Sequence, residues 1–335
     1  MRRQIRRSAA FALFALSPLI LLAQAKTSLK AAGATFPAPI YAKWFANYQA
    51  KNPDIQITYD AIGSEAGIRQ LLEGEIDFGA SDNPGILNEL KSAQDDKYLL
   101  FPSVIGAVVP IVNLPGVPSD LSFTPETLAE IYLGRIKKWN DPLLKQSNPG
   151  LRLPDLDIVV VHRSDGSGTS FIWSDFLSKS SPEWKTQVGA TSAPQWPLGK
   201  SATGNDGVAK LVKEMGGSIG YVEFIYALQN HLSFGKVKNQ QDRFVTADLD
   251  SITSAAAGSL GTSLLNASAS NAYPISSYTW FIVPAHIEDE TRRRAIKEFL
   301  QWMLGPGQRQ VAGLGYVALP ESVINQESAA LARIN

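Results

Sequence analysis

The chain of 335 residues contains no cysteine, which excludes disulfide scaffolds, thiolate metal sites, cysteine nucleophiles and lipid attachment through an N-terminal cysteine. Histidine is scarce: His162, His231 and His286 are too few for a His-rich metal site, and neither a metal nor an organic cofactor is expected. Neither sign of charge is in excess, with Lys+Arg 31 against Asp+Glu 31, so there is no global basic field to hold nucleic acid. Beyond the first 25 residues no segment approaches the roughly 18 uninterrupted apolar residues of a membrane-spanning helix. Internal repeats, a collagen-like period and heptads are all missing. What is present is 44% hydrophobic residues, too many for a disordered chain, and enough length for two domains of about 150 residues each.

The N-terminus reads as a targeting segment. Arg2, Arg3, Arg6 and Arg7 precede a stretch from Ala9 to Leu22 that is apolar except for Ser17 and Pro18, and Ala23-Gln24-Ala25 places small residues at −3 and −1 of a cleavage point before Lys26. That stretch would span only about 21 Å as a helix, short of the roughly 30 Å hydrocarbon core, which argues for a cleaved signal peptide over residues 1–25 rather than an anchor. Arg6-Arg7 raises the twin-arginine route, but general secretion is the simpler reading. Removing this segment takes away four arginines and no acid, leaving 27 basic against 31 acidic groups, a net of −4. An exported chain of that charge repels anions globally, so any anion it binds needs a local site.

The mature chain alternates short strands with helices, which predicts an α/β fold. Ile55, Ile57 and Tyr59 alternate as in a half-buried strand. Val104–Val112 is a longer apolar run, Ile158–Val161 reads as a central strand buried on both faces, and Ser218–Glu223 and Tyr278–Val283 are further strands. Helical spacing links Ile40, Trp44, Phe45 and Tyr48, then Ile68, Leu71 and Leu72 before Gly74, then Ala295, Ile296, Phe299, Leu300 and Met303 before Gly305-Pro306. Thr124-Pro125 is an N-cap followed by Pro at the first helical position. Asn140–Asp157 reads as an irregular excursion, and Ser251–Ala272 as a small-residue helix with flexible flanks. No linker separates two sequential domains, which fits a chain that crosses between domains more than once.

One device recurs three times. Gly33-Ala34-Thr35-Phe36-Pro37, Gly63-Ser64-Glu65-Ala66-Gly67 and Asp165-Gly166-Ser167-Gly168-Thr169-Ser170 each lead into a helix, the last two directly from a strand. A helix start presents unpaired N–H groups and about half a positive charge, and Gly and Ser/Thr let such a loop close on an anion. Each loop alone is an ordinary cap. Arg163 and Asp165 sharpen the third: they follow a buried strand, where open α/β sheets bind ligands, and Asp165 can orient a guanidinium that grips an oxyanion with two N–H groups. A surface ion pair is the plainer alternative. Asp82 ends the segment Asp77-Phe78-Gly79-Ala80-Ser81-Asp82, where a turn Asp is the plainer alternative.

The segments Gly-Ala-Thr-Phe-Pro-Ala-Pro (33–39), Asp-Phe-Gly-Ala-Ser-Asp (77–82), Ile-Tyr-Leu-Gly-Arg-Ile-Lys-Lys-Trp (131–139) and Arg-Ser-Asp-Gly-Ser-Gly-Thr-Ser (163–170), with Asn205-Asp206-Gly207, Gly220-Tyr221-Val222-Glu223 and Tyr273-Pro274-Ile275, stand in one order. From about Ala31 to Val323 the chain resembles the periplasmic phosphate-binding proteins of ABC-type phosphate uptake systems. The resemblance implies a type II two-lobe periplasmic-binding-protein architecture, with the ligand in the cleft between lobes joined by a hinge. Lobe I would comprise residues 26–108 and 280–335, and lobe II residues 109–279. The phosphate ligands it implies are Thr35, Phe36 (through its backbone N–H), Ser64, Asp82, Arg163, Ser167, Gly168 and Thr169, with Asp165 orienting Arg163. One departure stands out: Ser64-Glu65-Ala66-Gly67 replaces the family's usual Ser-Ser-Gly-Gly, and Glu65 is expected to point outward.

The implied protein is a periplasmic monomer without a lipid anchor. It is not an enzyme, and it delivers inorganic phosphate to a permease of membrane subunits and a cytoplasmic ATPase. An ionised Asp82 can accept the O–H that phosphate carries near neutral pH and sulfate lacks, which makes the acid the expected selectivity element. The alternatives are an extracytoplasmic phosphate sensor or scavenger, a phosphatase-like enzyme, or a two-lobe protein for another solute. Gly199-Lys200-Ser201 is no P-loop, because the required first Gly falls on Pro194. Gly166-Ser167-Gly168 lacks the spacing of a nucleophile elbow. His162 fits a strand end better than a base. Trp44 and Trp302 fall on helical apolar faces and fit core rather than sugar-stacking positions.

Overall fold

The computed structural model describes residues 26–90, 97–117, 121–257 and 263–335, so residues 1–25, where the signal peptide is expected, lie outside the described residues. Its strands are β1 (Thr27–Gly33), β2 (Ile55–Asp60), β3 (Phe78–Ser81), β4 (Tyr98–Asn113), β5 (Ser122–Phe123), β6 (Val159–Arg163), β7 (Lys200–Ala202), β8 (Ser218–Glu223), β9 (Ser233–Phe234), β10 (Lys236–Lys238), β11 (Phe244–Val245) and β12 (Ser276–Pro284). One sheet runs in the order β2-β1-β3-β12-β4-β8-β6-β7, with β9 beside β4, while β11-β10-β5 forms a separate patch. The β2-β1-β3 and β8-β6-β7 sets are parallel, and β12 and β4 join them by antiparallel pairing. Parallel neighbours require crossover connections, and the helices supply most of them.

Strand β4 links the two halves. Its residues Tyr98–Ala107 pair with β12, and Val108–Asn113 pair with β8. The apolar run Val104–Val112 is the middle of this 16-residue strand, buried throughout. Pro102 has no N–H to donate to β12, and the register slips beside it: Thr279 pairs with Val104 but Trp280 with Pro102, leaving Ser103 as the extra residue. Ser103 Oγ lies 2.7 Å from the Tyr41 hydroxyl and donates to the Thr279 carbonyl at 3.2 Å. That bulge fixes Thr279, which recurs at the site below.

The helices begin where the capping residues stand. Pro39 lies in the first turn of the helix Ala38–Lys51, and Thr124 caps Pro125–Tyr132 in a reciprocal pair with Thr127. The last long helix, Glu290–Trp302, runs into a π-helical turn, Met303–Gly307, that contains Pro306. Three expectations need adjusting. The Ile158–Val161 segment forms β6 from Val159 onward, second from the sheet edge rather than central, because β7 is its outer neighbour. Asn140–Asp157 contains a short helix, Pro142–Ser147, because Asp141 caps it. The expected small-residue helix is confined to Leu249–Ala255; residues 258–262 fall outside the described residues, and Ser263 to Ala272 is irregular apart from one bridge, consistent with the low helix propensity of Ser, Gly and Asn.

Each half has its own aromatic core. In the first, Tyr41 stacks on Phe281 at 4.3 Å, with Trp44, Phe45 and Phe299 around them. Trp44 is fully buried and donates to the Gly307 carbonyl at 2.9 Å. In the second, Trp173 stacks on Tyr221 at 5.1 Å beside Tyr132, Trp184 and Trp196. Burial of such side chains supplies roughly 1.5–3 kcal/mol each against chain entropy.

Candidate functional site

The three loops singled out in the sequence converge. Gly63 N–H donates to the Gly33 carbonyl at 2.9 Å, which joins the first and second. Gly168 N–H donates to Ser64 Oγ at 3.0 Å, and Glu65 N–H to the Gly166 carbonyl at 3.1 Å, which joins the second and third. Gly63 makes the turn possible with φ at 99°, a conformation L side chains rarely adopt. At Gly168 the reason for glycine is close approach: a Cβ there would sit 2.5 Å from Asp82 Oδ2 and 2.6 Å from Ser64 Oγ.

Asp82 follows β3 directly and is 1% exposed. Its Oδ1 accepts from Thr279 Oγ1 at 2.7 Å, the residue fixed by the β4–β12 bulge. Its Oδ2 is buried without a hydrogen-bond partner among the described residues. Burial raises the Asp82 pKa from 3.8 to about 7, against the opposing pull of the Thr279 hydrogen bond and the Arg163 charge.

Arg163 ends β6 and is 3% exposed. Its Nε donates to Asp165 Oδ1 at 2.7 Å and its Nη2 to Asp165 Oδ2, a two-pronged pair, and its backbone N–H donates to the Tyr221 hydroxyl at 3.2 Å. Nη1 is buried without a partner among the described residues. Burial works against ionisation of Asp165, but the hydrogen bonds and charge of Arg163, with the Gly204 N–H at 3.1 Å, outweigh it and hold that carboxyl below its usual range. The pair is therefore a structural fork with one prong turned elsewhere, not a surface ion pair.

The hydroxyls share one polarity. Asn205 Oδ1 accepts from the Glu223 backbone N–H at 2.9 Å, which fixes the amide orientation, so Nδ2 must donate to Thr35 Oγ1 at 2.8 Å and Thr169 Oγ1 at 3.1 Å. Ser64 Oγ accepts from Gly168 N–H, and Ser167 Oγ caps its helix by accepting from Ser170 N–H at 3.1 Å. All four hydroxyls are thus engaged as acceptors, and each keeps its own hydrogen to donate. The first loop is pinned from behind: the Tyr59, Tyr226 and Tyr316 hydroxyls donate to the Ala34, Thr35 and Phe36 carbonyls, each at 2.6 Å.

Contacts bring together Thr35, Ser64, Asp82, Arg163, Asp165, Ser167, Gly168 and Thr169. Phe36 lies beside Thr35 in the backbone, but its ring is buried against Gly106 in the core. Glu65 is held at the edge of the cluster rather than pointing simply outward: its Oε1 accepts from Arg69 Nη2 at 2.6 Å and Nε at 3.1 Å, while the same side chain packs against Gly166 of the third loop, where a Cβ would clash with Oε2. The sequence reading missed Thr279, Asn205 and the three tyrosines. Only the Asn205-Asp206-Gly207 match offered a signal, and it named no role. Gly199 precedes β7 and Lys200-Ser201 lie within it, so no P-loop forms. His162 stacks on Trp196 at 4.9 Å, and burial lowers its pKa.

A family model described as a PBP superfamily domain matches residues 22–306. A phosphate-binding protein PstS from Pasteurella multocida is 41% identical over 318 residues, covering 92% of this chain and 91% of the relative. Another PstS, from Xylella fastidiosa, is 42% identical over 306 residues, covering 89% and 83%. The chain belongs to the PstS family of the PBP superfamily. Among solved structures, a high-affinity periplasmic phosphate-binding protein with phosphate bound aligns with a TM-score of 0.71 at 20% identity, covering 90% of this chain and 93% of that one. The phosphate-binding protein from Stenotrophomonas maltophilia aligns at 0.67 with 21% identity, covering 91% and 94%. The fold is the two-lobe, type II arrangement of PstS proteins. These relatives are named as binding proteins rather than enzymes. Among the described residues, no helix is long and apolar enough to cross a membrane.

Proposed function

We propose that this protein binds one inorganic phosphate ion in the cleft between its lobes, outside the cytoplasmic membrane, and delivers it to an ABC-type permease. The ligands are Thr35, Phe36 through its N–H, Ser64, Asp82, Arg163, Ser167, Gly168 and Thr169, and Asp165 orients Arg163. One observation carries the reading: four hydroxyls that already accept and keep their hydrogens free to donate, with a guanidinium Nη1 that has no partner among the described residues, gather at Asp82 Oδ2, a buried carboxylate oxygen that likewise has none there. A cradle of donors with one acceptor matches an oxyanion that still carries one hydrogen. Sulfate offers Asp82 only a lone pair and a second negative charge. Sites built on such a pairing reject the analogue that lacks it by about 10⁴–10⁵.

Arg163 supplies the charge, and because Asp165 takes one N–H each of Nε and Nη2, the Nη1 hydrogens and the second Nη2 hydrogen are left for the ion. Hydrogen bonds to a charged group are worth about 1.5–3 kcal/mol each at best, and ordering costs offset part of the sum, so micromolar or tighter affinity is expected. The strand pairing supports lobes that exchange chain at Ala107/Val108 in β4 and just before β12. The second crossing thus falls a few residues ahead of position 280. Residues 1–25 act as a cleaved signal peptide, and the exported protein is a monomer without a lipid anchor; N-terminal sequencing of the periplasmic form tests this.

Calorimetric titration with phosphate, sulfate and arsenate tests the binding reading. Saturable phosphate binding with sulfate excluded is expected, and heat from sulfate equal to that from phosphate would overturn it. Incubation with a chromogenic phosphate ester should give no turnover, which separates a binder from a phosphatase.

A further inference from the structure

We infer that Glu89 is a latch: a positioning residue outside the anion site that holds the two lobes closed and thereby slows release of the ion. The inference rests on the phosphate reading and extends it to a residue that touches no ligand. Glu89 ends the short helix Ile86–Glu89, which follows β3 and Asp82 in the first lobe. Its carboxylate takes three donors from a turn of the second lobe, between the helices Pro182–Gln187 and Gly204–Glu214. Thr191 Oγ1 and Ser192 N–H reach its Oε1 at 2.6 and 2.8 Å, and Ser192 Oγ reaches its Oε2 at 3.0 Å. The buried Asn83, next to Asp82, adds a fourth donor at 2.5 Å and also bonds Ser192 Oγ at 3.0 Å.

The same turn reaches the anion loop from the other side. The Ser192 carbonyl accepts from Ser167 N–H at 2.8 Å, and Ser174, in the helix that Ser167 caps, both donates to and accepts from the Thr191 backbone. A continuous chain of bonds therefore runs from Asp82's neighbour, through Glu89, to the backbone of Ser167. Glu89 brings a full charge to this junction, and charge-assisted bonds are about twice as strong as neutral ones. Three of its four donors can reach it only when the lobes are together, so the latch stabilises the closed form and contributes nothing to first encounter.

The test compares the exported protein with E89A and E89Q. Glutamine keeps the shape but sets an N–H₂ against donors. Stopped-flow measurement of phosphate binding and release should show release accelerated roughly tenfold in both variants, the loss of about one hydrogen bond to a charged group. The association rate should stay within about twofold. An unchanged release rate, or a loss of affinity carried by slower association, overturns the latch. Because the chain has no cysteine, spin labels at E75C and K185C report the distance between lobes without background. If the parent binds no phosphate, the functional reading fails while the latch is still judged. Adding E89A should then lengthen or broaden the ligand-free distance distribution, and an identical distribution overturns it.

Discussion

Asp82→Asn reverses one hydrogen-bond direction at the centre of the cleft. In the variant, the amide oxygen takes the place of Oδ1, because Thr279 Oγ1 at 2.7 Å donates into that position. The amide nitrogen then occupies the place of the unpartnered Oδ2, and the single acceptor becomes a donor. Phosphate loses one charge-assisted bond, about 1.5–3 kcal/mol, so its affinity should fall roughly ten- to hundredfold. Sulfate gains a donor and loses a repelling charge, so much of the roughly 10⁴–10⁵ discrimination should disappear. The assay is calorimetric titration of both anions at pH 8, where Asp82 in the parent is ionised. If D82N still excludes sulfate and binds phosphate as tightly as the parent, the proton-reading role of Asp82 is wrong.

Other expectations follow from the same geometry. The Asp82 pKa is raised from 3.8 to about 7 in the folded, ligand-free protein, so its contribution favours folding at low pH and is lost as pH rises between those values. The full shift corresponds to about 4 kcal/mol, an order-of-magnitude figure. Urea denaturation at pH 5 and pH 8 should show the decline, and D82N should remove Asp82's share while leaving that of Glu327, whose pKa burial also raises to about 7. Gly168→Ala places a methyl 2.5 Å from Asp82 Oδ2; phosphate binding should fall by more than about hundredfold, with about 1–3 kcal/mol of overpacking measurable by denaturation. Glu65→Ala should change phosphate affinity less than about threefold by calorimetry, since the carboxylate is engaged by a partly exposed i,i+4 pair with Arg69, worth about 0.3–0.5 kcal/mol; a large change would mean that the carboxylate reaches the ion.

Much of the cradle was legible because its parts are local. Gly63-Ser64 and Ser167-Gly168-Thr169 announce helix starts by their own composition, and Arg163 with Asp165 lies two residues apart on one strand end. Asp82 was legible only as the end of an apolar segment, and its meaning came from the family resemblance. Thr279, 197 residues from Asp82, and Tyr316, 280 residues from Phe36, could not be read, because their roles exist only once β12 and the C-terminal segment are packed. The bulge that aims Thr279 depends on Pro102, and the sequence reading passed over that proline because it falls outside the Val104–Val112 run. The placement of β6 near a sheet edge escaped for the same reason: an apolar run reports that a strand is buried, not how many neighbours it has.

Asn205 has a consequence for how such a pocket acquires its sign. Its amide is oriented by one main-chain N–H of β8, and it passes that orientation to Thr35 and Thr169. Hydroxyls are ambidextrous, so a ring of serines and threonines could greet a cation as readily as an anion. At Thr35 and Thr169 the choice is inherited from the direction in which a peptide runs, behind the lining, and it is made before any solute arrives.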